Sequence, residues 1–389
     1  MLRYVTFFAK TLFLSLSSTA QGYIHLLYEK LLPPKEKAPS EPINILIVQL
    51  GQLGDFVLSI PFFGALKAAY GNRLRLVIIT DQINEDLVKK NSQVNEVIIY
   101  NSKKYSRVKQ KEDTMFPLLS LKDKTFDKSI WLRGDSKIFY WLIVNRIPMV
   151  SIAKYPNPLR WSWLSLIIKR PIKIKFKHYV EYLDDLDKNI KPSLIAFNLN
   201  KIFNAQLGRD SQKDIFLHIG AGSDLRKWPE ENFSRLLEKL LAYDTKIVIN
   251  LLGSKLDWEV AERIRSKISL SKYLDRVKNI CGEVSLPELS EILSNGKLYI
   301  GFDSGPMHIA ALSGISIVAM MGPQSPQLFR PWGKQEIRVV YKNYFCSPCW
   351  QFSCLHVRSG PGACVLAIQP QEVFEEAKSI LDKKGCNEY

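Results

Sequence analysis

The sequence predicts an α/β fold in two units, each organised on a parallel sheet. Two observations predict it. Short apolar runs rich in Ile, Val and Leu alternate with helical periods along the chain, and strands buried on both faces read as such uninterrupted runs. Several of these runs also stop at glycine beside a charged residue, just where the next helical period begins. The fullest example is Asn44-Ile45-Leu46-Ile47-Val48-Gln49-Leu50-Gly51-Gln52-Leu53-Gly54-Asp55. Glycine lets the backbone turn tightly out of a strand, and ligands of open α/β sheets bind at the carboxyl ends of the strands. Asp55 is therefore the first candidate for chemistry.

A chain of 389 residues with 46% hydrophobic content is long enough for two packed domains, and nothing in its composition suggests disorder or a repeat array. The 54 basic against 38 acidic residues give a net charge of +16. That favours an anionic partner, whether nucleic acid, phosphorylated glycolipid or a membrane surface, although an inert basic surface has the same charge. Six cysteines, four of them crowded into residues 346–364, do not form a disulfide scaffold and fit a reducing compartment.

Residues 1–42 read as an amphipathic segment followed by a Pro-rich, charged linker. Lys10 interrupts the apolar stretch and amphipathic residues continue past Ala20, which argues against a signal peptide. The segment is too short and too polar to span a bilayer. It fits a helix on a membrane interface, with Arg3, Lys10 and Lys30 near lipid phosphates, or a helix packed on the protein's own surface.

The first Rossmann-like unit is expected over residues 43–200. A helix from Phe56 to Tyr70 follows the first strand, then a strand from Leu74 to Thr80, a short helix from Asn84 to Lys90 and a strand from Val97 to Tyr100. Lys103 to Lys111 form a basic loop. A further strand, Asp127 to Leu132, delivers Arg133 and Asp135 to the sheet edge that carries Asp55, and a helix runs from Ser136 to Arg146. Residues 158–177 interleave Trp161 and Trp163 with lysine and arginine, a pattern that suits an anionic leaflet or the stacking of single-stranded bases. Without an accompanying RNA-binding signature the membrane reading is preferred, and no nucleic-acid partner is expected.

The second unit is expected over residues 201–369. Its strand Ile215 to Ile219 runs into Gly220-Ala221-Gly222-Ser223, then Arg226-Lys227-Trp228-Pro229 and a helix from Glu230 to Ala242. Small residues admit a ligand to the backbone, and Arg226 and Lys227 supply fixed positive charge, as a diphosphate requires. The strand Lys246 to Leu252 ends at Gly253. The helix from Trp258 to Lys267 follows, with Asp257 and Glu259 placed to cap it or to meet a ribose diol. The strand Leu298 to Phe302 ends at Asp303-Ser304-Gly305-Pro306-Met307-His308, ahead of another helix and the strand Ile315 to Met321. Gly305 can present amides at a helix N-terminus to a phosphate, while Asp303 and His308 can bond sugar or phosphate oxygens. The same residues also fit a capped helix with His308 facing the core.

In order and spacing, Leu53-Gly54-Asp55, Arg226-Lys227-Trp228-Pro229 and Asp303-Ser304-Gly305-Pro306-Met307-His308 resemble glycosyltransferase family 9, the group of the ADP-heptose:lipopolysaccharide heptosyltransferases. The resemblance covers about Ile43 to Val373. It implies a GT-B fold of two Rossmann-like domains facing each other across a cleft, with a helix over residues 370–389 packing back across both. It also implies inverting transfer of a sugar, heptose from ADP-heptose, to a lipopolysaccharide core or related envelope acceptor, with no cofactor required for catalysis. Asp55 takes the place of the general base. Gly222, Ser223, Arg226, Lys227, Asp303, Ser304, Gly305 and His308 take the place of the donor site, with arginine at 226 where the family usually has lysine. Arg133 and His178 are candidate acceptor contacts.

The partners implied are a nucleotide-sugar donor, an anionic glycolipid acceptor and a membrane surface, which places the protein in the cytoplasm, peripheral on the inner face of a bacterial inner membrane. Cys346, Cys349, Cys354 and Cys364 have a spacing that can hold structural zinc or iron, or remain reduced without metal. A nicotinamide-dependent oxidoreductase would show Gly-x-Gly-x-x-Gly at the first turn, where this chain has Gly51-x-x-Gly54-Asp55. A catalytically degenerate membrane or RNA-binding module is the non-enzymatic alternative.

Overall fold

The computed structural model describes residues 31–33, 38, 40–101, 118, 120–151, 178–183, 186–187, 214–222, 224–269, 271–344, 346–348, 354 and 362–385. The expected N-terminal helix, the basic loop at 103–111, the Trp-containing stretch at 158–177, the interdomain connection, Ser223 and Cys349 lie outside the described residues. The chain divides into two units, Met1–Ile195 and Ala196–Tyr389.

The first unit contains β1 (Ile43–Gln49), α1 (Leu53–Tyr70), β2 (Leu74–Thr80), α2 (Glu85–Lys89), β3 (Glu96–Ile99), β4 (Lys128–Arg133), α3 (Ser136–Val144), β5 (Met149–Ser151) and α4 (Tyr179–Leu183). Its strands pair in parallel in the order β3-β2-β1-β4-β5. The chain starts mid-sheet, walks outward to β3, and returns to the other side of β1. That reversal separates the flanking connections and opens a crevice at the carboxyl ends of β1 and β4. Asp55 and Arg133 are carried there by sequence position alone.

Helix α1 is apolar on every side because it is enclosed: Phe56, Val57, Ile60, Phe62, Phe63 and Leu66 are buried. With its terminal turn it is long and apolar enough to cross a membrane, but 67% of its apolar window is buried inside the protein, as in a core helix. Pro61 sits in its interior, where it withholds one helical N–H. Leu46, Val48, Ile79, Trp131, Phe139 and Leu142 pack into the same unit's core. At the opposite end of the sheet, buried Lys128 pairs with Asp187, which also accepts from the Tyr70 hydroxyl at 2.8 Å. This pair ties the segment after α4 to the start of β4.

The second unit contains β6 (Asp214–His218), α5 (Glu230–Tyr243), β7 (Val248–Leu252), α6 (Trp258–Ser266), β8 (Val277–Asn279), α7 (Leu286–Ser294), β9 (Leu298–Phe302), α8 (Gly305–Ser313), β10 (Ser316–Met321), α9 (Pro326–Phe329), β11 (Ile337–Tyr341), α10 (Ala363–Leu366) and α11 (Pro370–Gly385). The parallel sheet runs β11-β10-β9-β6-β7-β8, so the reversal falls between β6 and β9. Each unit is thus Rossmann-like, with strands added on both sides of its first one.

Helix α11 packs on α5 and on β9 to β11, setting Val373, Ala377, Ile380 and Leu381 into the second core. Helix α7 is fixed at its start by a capping box, Glu288 accepting from the amide and hydroxyl of Ser285 at 2.8 and 2.6 Å, with Pro287 in the first turn.

Candidate active site

In the first unit, Asp55 stands in the first turn of α1, where its Oδ2 accepts from the Gln52 amide at 3.2 Å. A carboxylate there satisfies an otherwise open amide and meets the positive end of the helix dipole. The turn has no room for a side chain at position 51, since an added Cβ would lie 2.6 Å from the Asp55 Cβ and 2.9 Å from Oδ2. Glycine at 51 is thus required by close approach.

Arg133 reaches the same carboxylate through an irregularity in the sheet. Val48 pairs with Trp131, but Gln49 pairs with Arg133, so Leu132 is an extra residue on β4. A bulge of this kind re-aims the side chains that follow it. Leu50 then donates to the Arg133 carbonyl at 2.7 Å, and Arg133 Nη1 donates to Asp55 Oδ2 at 2.8 Å. Gly134 lets the chain leave closely over Trp131, whose ring lies 2.5 Å from the position of an added Cβ. Asp135, expected at the same edge, caps α3 by accepting from the amides of Lys137 and Ile138, both at 3.1 Å.

Beneath the turn lies a buried polar network. Gln49 Nε2 donates to the Asp55 carbonyl at 3.1 Å and to Ser59 Oγ at 2.7 Å, while its Oε1 accepts from the Gly51 amide at 3.2 Å. Asn84 Nδ2 donates to the Gly51 carbonyl at 3.0 Å. Tyr179 on α4 is hydrogen-bonded to Ser59 and Gln49; burial, reinforced by the Asp55 charge, pushes its phenol up to about 12. It stays a neutral hydrogen-bonding group. His178 is buried and its Nδ1 accepts from the Val180 amide at 3.2 Å, so this ring nitrogen is engaged at the start of α4.

In the second unit, Trp228 anchors the segment that presents Arg226. Its indole is buried edge-on to Phe233 and Phe302, at centroid distances of 5.1 and 6.2 Å, and its Nε1 donates to the Ile368 carbonyl at 3.0 Å. Two residues earlier, at the end of a single 3₁₀ turn, Arg226 Nη1 donates to the Asp303 carbonyl at 2.6 Å and to Asp303 Oδ2 at 3.3 Å. The other Asp303 oxygen lies 3.6 Å from His308 Nε2. His308 is buried and its Nδ1 has no hydrogen-bond partner among the described residues. An orphaned buried polar atom is costly in a finished core and ordinary where a ligand completes the site.

Ser304 Oγ lies 3.5 Å from His218 Nδ1 at the end of β6. Burial drives the His218 imidazole down to about 4 against an opposing pull from Asp257, so it is neutral at neutral pH. Ser304 is the N-cap residue of α8, and Gly305 and Met307 supply the amides of its open first turn. A guanidinium, a neutral imidazole and a helix N-terminus therefore converge at the crevice of this sheet, the combination that binds a diphosphate. Gly222 and Lys227 are exposed on the same connection.

Cys364 is buried in the second core, and Cys346 and Cys354 are half-buried. Among the described residues no three His, Cys, Asp or Glu side chains gather into a group able to hold a metal. Asp257, left between capping and ribose binding by the sequence, accepts from the amide and hydroxyl of Ser254, both at 2.7 Å. Its carboxylate thus closes a capping box on the 3₁₀ turn Lys255–Asp257 that leads into α6.

A family model, glycosyltransferase family 9 (heptosyltransferase), matches residues 146–357, more than half of the chain. The chain belongs to glycosyltransferase family 9. It is 26% identical to lipooligosaccharide heptosyltransferase 2 of Campylobacter jejuni over 212 residues, 54% of this chain and 63% of that protein, so the match spans under two thirds of the relative's length. With lipooligosaccharide heptosyltransferase 2 of Haemophilus influenzae the identity is 24% over 74% of this chain and 86% of the other. The solved structure of the Escherichia coli ADP-heptose lipopolysaccharide heptosyltransferase II is similar in fold, with a TM-score of 0.62 and 20% identity, covering 88% of this chain and all of that one. The fold expected from the sequence, GT-B built of two Rossmann-like units, is therefore borne out.

The family 9 match contains Arg226, Asp303, Ser304 and His308 and begins after Asp55 and Arg133. Several residues of the site escaped the sequence reading. Gln49 carried a signal, as the one polar side chain in the run from Ile45 to Leu50. Tyr179 and His218 carried none, because their partners are distant in sequence.

Proposed function

We propose that this family 9 chain is an inverting glycosyltransferase that moves heptose from ADP-heptose to a lipopolysaccharide core or related anionic envelope glycolipid. The observation that carries the proposal is the family match over the stretch that holds the converging Arg226, Asp303, Ser304 and His308. The names of the relatives, all heptosyltransferases, support the sugar and the acceptor class.

In this reading Asp55 accepts the proton of an acceptor hydroxyl as that oxygen attacks the anomeric carbon. The bond from that carbon to the diphosphate oxygen breaks, and its electron pair leaves with ADP. Arg226 and the first amides of α8 stabilise the charge that grows on the departing diphosphate. His308 Nδ1, Ser304 and Gly305 complete the donor cradle, with Gly222 and Lys227 lining its approach; Ser223 is assigned to the donor by the family resemblance alone. A single displacement inverts the anomeric configuration. Positive charge for the leaving group comes from the chain itself, so the step needs no cofactor.

Arg133 and His178 remain on the acceptor side of the proposal. A membrane glycolipid acceptor and a net charge of +16 fit an enzyme on the cytoplasmic face of a bacterial inner membrane.

The test is turnover of ADP-, UDP- and GDP-sugars with a heptose-deficient core acceptor. ADP-heptose supports transfer, and Asp55→Asn lowers kcat by about a thousandfold or more. Turnover with no donor would favour a binding module, and full activity in Asp55→Asn would remove the proposed base.

A further inference from the structure

The two oxygens of the Asp55 carboxylate are not equivalent. Oδ2 is held twice, by the Gln52 amide at 3.2 Å and by Arg133 Nη1 at 2.8 Å. Oδ1 has no hydrogen bond among the described residues. A carboxylate anchored through one oxygen presents the other in a fixed direction, and direction is what a base needs when it must meet one hydroxyl of a polyol.

The ion pair itself is a poor explanation for stability. Arg133 is 44% exposed in its side chain against 17% for Asp55, and ion pairs of that exposure contribute little to stability. Yet β4 interrupts its ladder to β1 with an extra residue at Leu132, and the chain takes a glycine at 134 pressed onto Trp131, to bring Arg133 there. Irregularities of this kind near an active site re-aim a side chain. The two elements that flank the sheet reversal are thus joined at one atom of the candidate base.

We infer that Arg133 is a positioning residue for Asp55: it fixes Oδ2 so that Oδ1 alone faces the acceptor hydroxyl. The inference rests on Asp55 being the base, and it replaces a direct acceptor contact as the main role of Arg133. The guanidinium touches neither the donor nor the transferred proton. It acts through the carboxylate it holds.

The experiment is steady-state kinetics of the full chain with ADP-heptose and core acceptor for Arg133→Ala, Arg133→Lys, Asp55→Asn and the double variant Asp55→Asn/Arg133→Ala. Arg133→Ala lowers kcat by about 10- to 100-fold while both KM values stay within about threefold, because orientation is lost and binding is not. Arg133→Lys, which keeps a charged donor, recovers part of that loss. The double variant is no slower than Asp55→Asn alone, since nothing is left to position. A raised acceptor KM at unchanged kcat would make Arg133 an acceptor contact and overturn the inference. So would an unchanged kcat, or a double variant slowed by the product of the two single effects. Thermal melting checks the fold of each variant, and Arg133→Gln takes the place of Arg133→Ala if that chain does not fold. Absence of transfer by the wild-type chain would instead defeat the heptosyltransferase reading, which is a separate result.

Discussion

At the residue scale, the proposed donor site combines the Arg226 guanidinium with the neutral imidazole of His218. Arg226 is held on Asp303, whereas His218 is kept neutral by burial. The depressed imidazole has a consequence for stability. Its pKa is 6.5 in an ordinary setting and about 4 in the folded protein, so over that interval the unfolded chain binds more protons. The contribution of His218 is fully present above pH 6.5 and is lost as the pH falls toward 4, by up to about 3 kcal/mol. Denaturant unfolding of wild type and His218→Gln above pH 6.5 and near pH 4 checks this. The wild type loses more stability on acidification than the variant, and equal losses would show that His218 titrates freely.

At the element scale, the same turn is used twice. After β1, Gly51 faces the Asp55 Cβ, and the Gln52 amide donates to Asp55 Oδ2; after β7, Gly253 faces the Asp257 Cβ, and the Ser254 amide donates to Asp257 Oδ2. An added Cβ would stand 2.6 Å from Asp55 in the first turn and 2.7 Å from Asp257 in the second. Gly51→Ala and Gly253→Ala should each cost about 1–3 kcal/mol, because a backbone-anchored aspartate has to shift. Only Gly51→Ala moves the proposed base, so it should also lower kcat by about 100-fold. Thermal unfolding run beside turnover separates the two, and full activity in a folded Gly51→Ala protein would contradict the geometry.

The strand-to-helix turns were legible because glycine and an acidic residue at the end of an apolar run have few other uses. The bulge at Leu132 was not, since nothing in Ile130-Trp131-Leu132-Arg133 marks which residue is passed over by the ladder. Strands β5 and β8 are three residues each and carry too few positions for a period to show.

At the scale of the whole molecule, each unit brings its chemistry to the point where its own strand order reverses: Asp55 and Arg133 at β1 and β4, and Arg226 and Asp303 at β6 and β9. This placement was foreseeable from strand order, because in a doubly wound sheet the crevice position follows from topology. The side-chain partnerships at each crevice were not, because Arg133 joins Asp55 across 78 residues and Arg226 joins Asp303 across 77. Sequence spacing reports elements; such pairs depend on how the sheet closes.

In the proposed mechanism the first unit removes the proton and the second binds the diphosphate. Titration of ADP into wild type, Asp55→Asn and Arg226→Ala, beside turnover of ADP-heptose by the same proteins, tests that division most directly. Asp55→Asn should bind ADP within about twofold of wild type yet transfer about a thousandfold or more slowly, and Arg226→Ala should bind ADP at least about tenfold more weakly. Wild-type ADP affinity in Arg226→Ala, or lost ADP binding in Asp55→Asn, would contradict it.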